Sequence, residues 1–162
     1  MAHDHDSADE PRLKLPALPP VIFAIPLLGG LLAHAFFDLP RLTMARPAAW
    51  TAGGIVAVLA LALGLWAIRT FQAHGEDPHP PSPTNVIVQT GPYRFSRNPM
   101  YLAMALLATG IGLGLRSWAV LASVPVSLAA IHWLVVRREE AHLGATLGEA
   151  YHSYLARVRR YL

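Results

Sequence analysis

The sequence predicts an all-α integral membrane protein with four transmembrane helices, the last two forming a tight hairpin, and an amphipathic cytoplasmic helix at the carboxyl end. Hydrophobic residues make up 54% of the 162 residues and charged residues only 14%, whereas soluble domains carry about 25% charged residues. Four apolar segments free of Asp, Glu, Lys and Arg each have the length that a helix needs to cross a ~30 Å hydrocarbon layer. The absence of cysteine excludes disulfide frameworks and thiolate chemistry.

The chain divides into a polar tail and one membrane domain. Residues 1–17 are too polar to bury a core, and we expect them to be disordered. Their His-Asp-His-Asp run is a compositional signal without a preorganised geometry, so no metal site is predicted. The domain at residues 18–162 contains the four spans, which run over Leu18–Phe37, Trp50–Ile68, Pro99–Leu115 and Trp118–Val136.

The basic residues predict the orientation of the chain in the membrane. With the amino terminus in the cytoplasm, ten of the thirteen basic residues fall on the cytoplasmic side, as the positive-inside rule requires. Both termini and the Thr70–Asn98 loop are then cytoplasmic. This distribution explains the net charge of +3 as a topology signal, so we expect membrane lipids and no nucleic acid as partners.

The carboxyl-terminal segment Arg137–Leu162 has a different pattern from the spans. Leucine, tyrosine and valine residues recur at helical spacing between charged ones. This pattern predicts an amphipathic helix, broken near Gly148, that lies on the membrane surface or folds back on the bundle.

Two polar clusters stand at the boundaries of the last two spans. The first runs from Thr90 to Tyr101 and ends in Asn98-Pro99, which suits a helix start with Asn98 as the N-cap. The second is Arg137-Arg138-Glu139-Glu140. Each has an ordinary interpretation: the first as a helix start whose arginines face lipid phosphates, the second as a solvated group in which the arginines neutralise the glutamates.

The hairpin brings the two clusters together. Only Arg116 and Ser117 separate the third and fourth spans, so Asn98–Tyr101 should lie close to Arg137–Glu140 at one membrane face. A pocket there would combine tyrosine rings with two carboxylates. Such a pocket suits a polar, cationic cofactor, because carboxylates can bond ribose hydroxyls and tyrosine faces attract a sulfonium.

The motifs themselves resemble a known family. Gly91-Pro92-Tyr93, Arg97-Asn98-Pro99-Met100-Tyr101, Arg138-Glu139-Glu140 and Gly148-Glu149-Ala150-Tyr151, in this order, are similar to the isoprenylcysteine carboxyl methyltransferase family and the related phospholipid N-methyltransferases. The resemblance covers most of the chain. It implies an S-adenosylmethionine-dependent methyltransferase acting on a lipophilic substrate at the cytoplasmic membrane face.

The resemblance also implies roles for individual residues. Glu139, Glu140 and Arg138 would lie near the reacting groups. Val135 stands where the family has a substrate-binding arginine, so the resemblance does not extend to the family's clamp for a prenylcysteine carboxylate. The residues implied to bind the cofactor are Asn85, Val86, Ile87, Val88, Tyr93, Asn98, Pro99, Met100 and Tyr101.

Two other classes compete with this interpretation. Sterol-reductase-type membrane enzymes share a related carboxyl-terminal architecture but bind a nicotinamide cofactor, which needs a longer pocket. A non-enzymatic membrane subunit would use the clusters for lipid or partner binding. The methyl acceptor, whether carboxylate, amine or thiol, and the oligomeric state are left open by the sequence.

Overall fold

A computed structural model describes residues 18–74 and 87–161, and these form helices joined by short connections. The helices are α1 (Pro19–Phe36), α2 (Arg46–Gln72), α3 (Pro99–Gly114), α4 (Trp118–Ile131) and α5 (Arg137–Arg157). A 3₁₀ turn (Gly91–Arg94) precedes α3, and a π-helical turn (His132–Val136) joins α4 to α5. The predicted disordered tail at residues 1–17 lies outside the described residues.

Three of the helical segments are long and apolar enough to cross a membrane: Pro19–Phe36, Arg46–Gln72 and Trp118–Arg157. Many of their large apolar side chains are exposed, Ile25, Val58 and Trp50 among them, as expected for surfaces that face lipid. The fourth predicted span, α3, is apolar but has only 16 residues, about 24 Å at 1.5 Å per residue. The predicted all-helical membrane architecture is therefore confirmed, with three helices of full spanning length and a shorter apolar one.

Helices that pack against each other run in opposite directions, as α1 and α4 show. The Ser127 hydroxyl of α4 donates to the Phe23 carbonyl of α1 at 2.9 Å, while Gly30, further along α1, lies against Ala119 near the start of α4. Helix α2 packs along α3, and α3 packs on α4 through a turn that contains Arg116 in a left-handed conformation (φ 53°). The predicted tight hairpin is thus present.

Backbone contact sets the distance between α2 and α3. A Cβ atom added at Gly53 would meet the Gly110 carbonyl oxygen at 2.6 Å and the Gly114 nitrogen at 2.8 Å. A Cβ atom at Gly110 would likewise meet the Gly53 carbonyl oxygen at 2.8 Å. Helices in lipid gain little from hydrophobic association, so they pack through small residues that let their backbones approach closely.

The last helical segment is longer than a membrane is thick. Its 40 residues from Trp118 to Arg157 would extend for about 60 Å, twice the hydrocarbon thickness. The apolar part ends at Val136, and the charged α5 therefore continues outside the spanning part. As predicted, the helix breaks at Gly148, whose φ of 51° and ψ of −127° are non-helical.

The helical prediction for the whole of Arg137–Leu162 is wrong at its end. Helix α5 stops at Arg157, and Val158 is extended (φ −119°, ψ 130°). The cause is long-range pairing: residues 158–161, which we call the terminal strap, lie along the loop before α3, and Ser96 and Arg159 form a parallel β-bridge. A pairing between residues so distant in sequence has no signal in local helical periodicity.

Candidate functional site

The candidate site lies at the end of the bundle opposite the α3–α4 turn. Four segments meet there: residues 87–98, the start of α3, the start of α5 and the terminal strap. At the other end of the bundle, the loop after α1 contacts the hairpin turn, where the Leu42 amide donates to the Arg116 carbonyl at 2.9 Å. The structure therefore brings the two predicted polar clusters together.

Glu139 and Tyr101 join the two clusters directly. The Tyr101 hydroxyl lies 3.3 and 3.4 Å from the two carboxylate oxygens of Glu139 and donates to them. Burial raises the pKa of the Glu139 carboxyl; the Tyr101 hydrogen bond opposes this rise, and the charge of the adjacent Glu140 adds to it. A carboxyl group whose pKa is raised by burial is a stronger base than a solvent-exposed one, which makes Glu139 a candidate general base.

Glu140 has a different environment from its neighbour. Arg160 binds it in bidentate fashion, with Nε 3.0 Å from one carboxylate oxygen and Nη2 2.7 Å from the other. Arg97 Nη1 adds a third contact at 3.1 Å. Both oxygens of Glu140 are therefore engaged by guanidinium groups that come from the loop and from the terminal strap.

Asn98 is held by the terminal strap and does not use its side chain to cap α3. Its Nδ2 donates to the Arg160 carbonyl oxygen at 2.9 Å, and no cap hydrogen bond is made by its side chain. The predicted N-cap is therefore correct in position and wrong in its hydrogen bond. The Arg97 amide also donates to the strap, to the Arg159 carbonyl at 2.9 Å.

Tyr93 is buried in the 3₁₀ turn. Its ring packs 5.8 Å from that of Phe71, and its carbonyl accepts a hydrogen bond from the Tyr154 hydroxyl at 2.8 Å. Burial raises the pKa of the Tyr93 hydroxyl, with the charges of Tyr154 and Glu139 adding to the rise. This hydroxyl, like Nε of Arg97, is buried and has no hydrogen-bond partner among the described residues.

The remaining residues that the resemblance assigns to a cofactor site have apolar surroundings. Val88 is buried with Ala67 and Tyr93, and Met100 packs against this group. Ile87 packs instead against the cluster of Tyr151, Tyr154 and Val158. Pro99 is buried at the start of α3, and Asn85 and Val86 lie outside the described residues.

The arginines next to the two glutamates in sequence do not neutralise them. Arg137 stacks on the ring of Trp133, with its guanidinium carbon 4.6 Å from the ring centroid. Arg138, predicted to lie near the reacting groups, is exposed. Val135 is fully buried in the core between α1, α3 and α4, so it offers no polar group to the site.

Sequence reasoning missed the contribution of the terminal strap. Arg160 binds Glu140, the strap carbonyls accept from Arg97 and Asn98, and the Tyr161 hydroxyl lies 3.1 Å from Nδ1 of His132 in the π-helical turn. The available signal was the density of arginines at positions 157, 159 and 160, which the positive-inside rule had already explained. π-helical turns are frequent at functional sites, which agrees with the position of His132 beside this cluster.

These features describe a protein with long apolar helices and a half-buried carboxylate and tyrosine cluster at one end of its bundle. Comparison with known families specifies the class. The family model for phospholipid methyltransferases matches residues 48–150, and the chain belongs to this family. The resemblance seen in the sequence motifs is thereby confirmed. No curated protein and no solved structure matches the chain significantly.

Proposed function

We propose that this protein transfers the methyl group of S-adenosylmethionine to an amine on a lipophilic acceptor, at the site formed by Tyr93, Tyr101 and Glu139. The observation that carries the proposal is the half-buried Glu139 carboxylate, which accepts a hydrogen bond from Tyr101 and whose charge contributes to the raised pKa of Tyr93. Membership of a methyltransferase family supports the reaction class.

The residues present fit a cofactor of this kind. Its hydroxyl and ammonium groups need acceptors, and its carboxylate needs donors. The Tyr93 hydroxyl, which has no hydrogen-bond partner among the described residues, can act as donor or acceptor. The side-chain nitrogen of Asn98 is bonded to the strap, and its side-chain oxygen would serve as an acceptor for the cofactor. When bound, the cofactor supplies a methyl group already activated by its positive sulfur.

The charge distribution favours an amine acceptor over a carboxylate. A prenylcysteine carboxylate needs a cation to hold it, yet Arg97 and Arg160 are committed to Glu140, and Arg137 is stacked on Trp133. The family position for a substrate arginine is occupied by the buried Val135. An ammonium group, in contrast, would be attracted by Glu139, and that carboxylate can take the proton which the nitrogen must lose before it reacts.

We further propose that α3 crosses the membrane as a fourth span and that the site faces the cytoplasm. The antiparallel order of the helices supports this proposal, because the α3–α4 hairpin and the α1–α2 loop contact each other at the end opposite the site. The basic residues of the site end then agree with the positive-inside rule. The lipid tail would enter between helices while the cofactor arrives from the aqueous side.

The test is a pair of assays on the purified protein in detergent. Calorimetry with S-adenosylmethionine and with reduced nicotinamide cofactor separates a methyltransferase from a reductase, and we expect binding of the former alone. Transfer of labelled methyl groups is then compared between a phospholipid with a primary amine headgroup and a prenylcysteine. Labelling of the amine confirms the proposal, labelling of the prenylcysteine alone contradicts the acceptor class, and binding of neither cofactor refutes the enzymatic function.

A further inference from the structure

We propose that Arg97, Glu140 and Arg160 form a clasp that holds the terminal strap against the start of α3, and that Glu140 is a positioning residue. The strap would thereby set the orientation of Asn98 in the candidate site. The part of this inference that concerns activity rests on the proposed methyl-transfer function, whereas the docking of the strap does not depend on it.

The first step is the geometry of the ion pairs. One carboxylate receives three guanidinium contacts of 2.7 to 3.1 Å from two arginines. The side chains of Arg97 and Glu140 are only 12% and 16% exposed, although Arg160 is 41% exposed. Exposed ion pairs contribute little to stability, but charge-assisted, bidentate contacts that are partly shielded from water are stronger. These contacts are therefore suited to hold a chain segment in place.

The second step is what the clasp holds. Arg160 follows directly on Arg159, whose carbonyl accepts from the Arg97 amide at 2.9 Å. The carbonyl of Arg160 itself accepts from the side-chain nitrogen Nδ2 of Asn98 at 2.9 Å and from the Ser96 hydroxyl at 3.4 Å. The side chain of Arg160 thus fixes a backbone segment whose carbonyls orient the loop before α3.

The third step concerns the asparagine. A side-chain amide carries its donors on one branch and its acceptor on the other. Because the strap binds a donor of Asn98, it restrains the rotation of the whole side-chain amide, including its acceptor oxygen. Release of the strap would leave this amide free to rotate, and a ligand would then meet donors and acceptors in random orientation.

The fourth step separates the two adjacent glutamates. Glu139 interacts with a single tyrosine hydroxyl, whereas both oxygens of Glu140 are occupied by arginines. Because guanidinium groups occupy both oxygens of Glu140, neither oxygen is free to contact a ligand. Glu140 therefore acts through the strap, and Glu139 is the one placed to contact reacting groups.

Hydrogen exchange measured by mass spectrometry tests the docking of the strap without any activity assay. In Glu140→Gln and in Arg160→Met, we expect the Arg97 amide to exchange about tenfold to hundredfold faster than in the wild type, the range for the loss of a charge-assisted hydrogen bond. Arg159→Met is the matched control, because the Arg159 side chain is exposed. In this variant the Arg97 amide should exchange at the wild-type rate. Unchanged exchange in both test variants, or equal acceleration in the control, would overturn the proposal.

Enzyme kinetics test the positioning role of Glu140. We expect Glu140→Gln and Arg160→Met to raise the KM for S-adenosylmethionine about tenfold with a smaller change in kcat, and Arg160→Lys to restore part of the loss. Glu139→Gln should instead lower kcat. A loss confined to kcat in Glu140→Gln, with normal exchange at Arg97, would show that Glu140 is catalytic and refute the positioning role. If the wild type does not bind the cofactor, the proposed function fails, while the exchange experiment still decides whether the clasp exists.

Discussion

The Tyr93 hydroxyl is expected to have opposite effects on the stability of the fold and on ligand binding. It is buried without a hydrogen-bond partner among the described residues, and such a group costs about 1–3 kcal/mol in a folded protein. If Tyr93 has only a structural role, removing its hydroxyl should increase the stability of the protein and leave ligand affinity unchanged. If the hydroxyl binds the ligand, the same change should also lower ligand affinity, so measuring both stability and affinity reveals its role.

We therefore expect Tyr93→Phe to leave the free energy of unfolding unchanged or to raise it by about 1 kcal/mol, and to weaken S-adenosylmethionine binding up to about tenfold. Thermal unfolding in detergent and calorimetry measure the two effects. Tyr154→Phe is the control, because it removes the 2.8 Å hydrogen bond to the Tyr93 carbonyl and should destabilise the protein. Equal destabilisation by both variants, with normal cofactor affinity, would contradict a binding role for the Tyr93 hydroxyl.

Glu139 gives a prediction about pH. Its folded-state pKa is raised, chiefly by burial, so the unfolded chain ionises first as the pH rises above about 4.3. From that point the wild type loses stability until the pH passes the raised pKa. Glu139→Gln has no such group, and the Tyr101 hydroxyl can still donate to the glutamine oxygen.

We expect Glu139→Gln to match the wild type in Tm near pH 4 and to equal or exceed it near pH 7, while methyl transfer falls at least about tenfold. Thermal unfolding across this pH range and a turnover assay at pH 7 provide the check. A variant that becomes relatively less stable toward neutral pH would show that the ionised carboxylate holds the fold together.

At the scale of helices, the contact between α2 and α3 depends on a glycine pair. Gly53 lies against the backbone of Gly110 and Gly114, whereas nothing lies within 4 Å of a Cβ atom placed at the neighbouring Gly54. A side chain at position 53 would meet backbone atoms, which cannot rotate away as a flexible side chain does.

We expect Gly53→Val to lower the free energy of unfolding by about 3 kcal/mol or more, because overpacking against backbone forces the helices apart. Gly54→Val is the matched control and should stay within about 0.5 kcal/mol of the wild type. Thermal unfolding of both variants in the same detergent compares them. Similar melting temperatures for the two variants would show that the close helix contact does not support the fold.

The helical bundle has two distinct ends, and a topology experiment can test on which side of the membrane each end lies. The loop after α1 contacts the hairpin turn through Arg116, whose Nη1 donates to the Met44 carbonyl at 3.0 Å. The terminal strap contacts the loop before α3 at the other end. If the proposed orientation is correct, these two ends lie on opposite sides of the membrane.

Because the chain contains no cysteine, single introduced cysteines report their own accessibility. We expect a membrane-impermeant maleimide to label Thr43→Cys in intact cells and Ala156→Cys only after permeabilisation, since both positions are exposed at opposite ends. Arg94→Cys should behave as Ala156→Cys does. Labelling of Thr43→Cys and Ala156→Cys from the same side would contradict the proposed four-span arrangement.

The sequence by itself determined the features that depend on local composition and length. Apolar segments predicted all four hydrophobic helices, with ends within a few residues of those of α1, α2 and α3. The two residues at Arg116-Ser117 predicted the hairpin, and the hairpin predicted that Asn98–Tyr101 lies close to Arg137–Glu140, where the structure shows Tyr101 bonded to Glu139. A two-residue connection forces the adjoining helices to pack side by side in opposite directions, so the contact between the start of α3 and the start of α5 could be inferred from the length of the turn.

Only the tertiary structure decided the partners of the glutamates. Arg137 and Arg138 precede them directly, but successive residues of a helix point in different directions, and those four apart are the ones that meet. Arg137 accordingly lies on Trp133, four residues earlier, and Glu140 binds Arg97 and Arg160 from other segments. Pairing between the strap and the loop before α3 joins residues about sixty positions apart, and no periodicity along the chain encodes it.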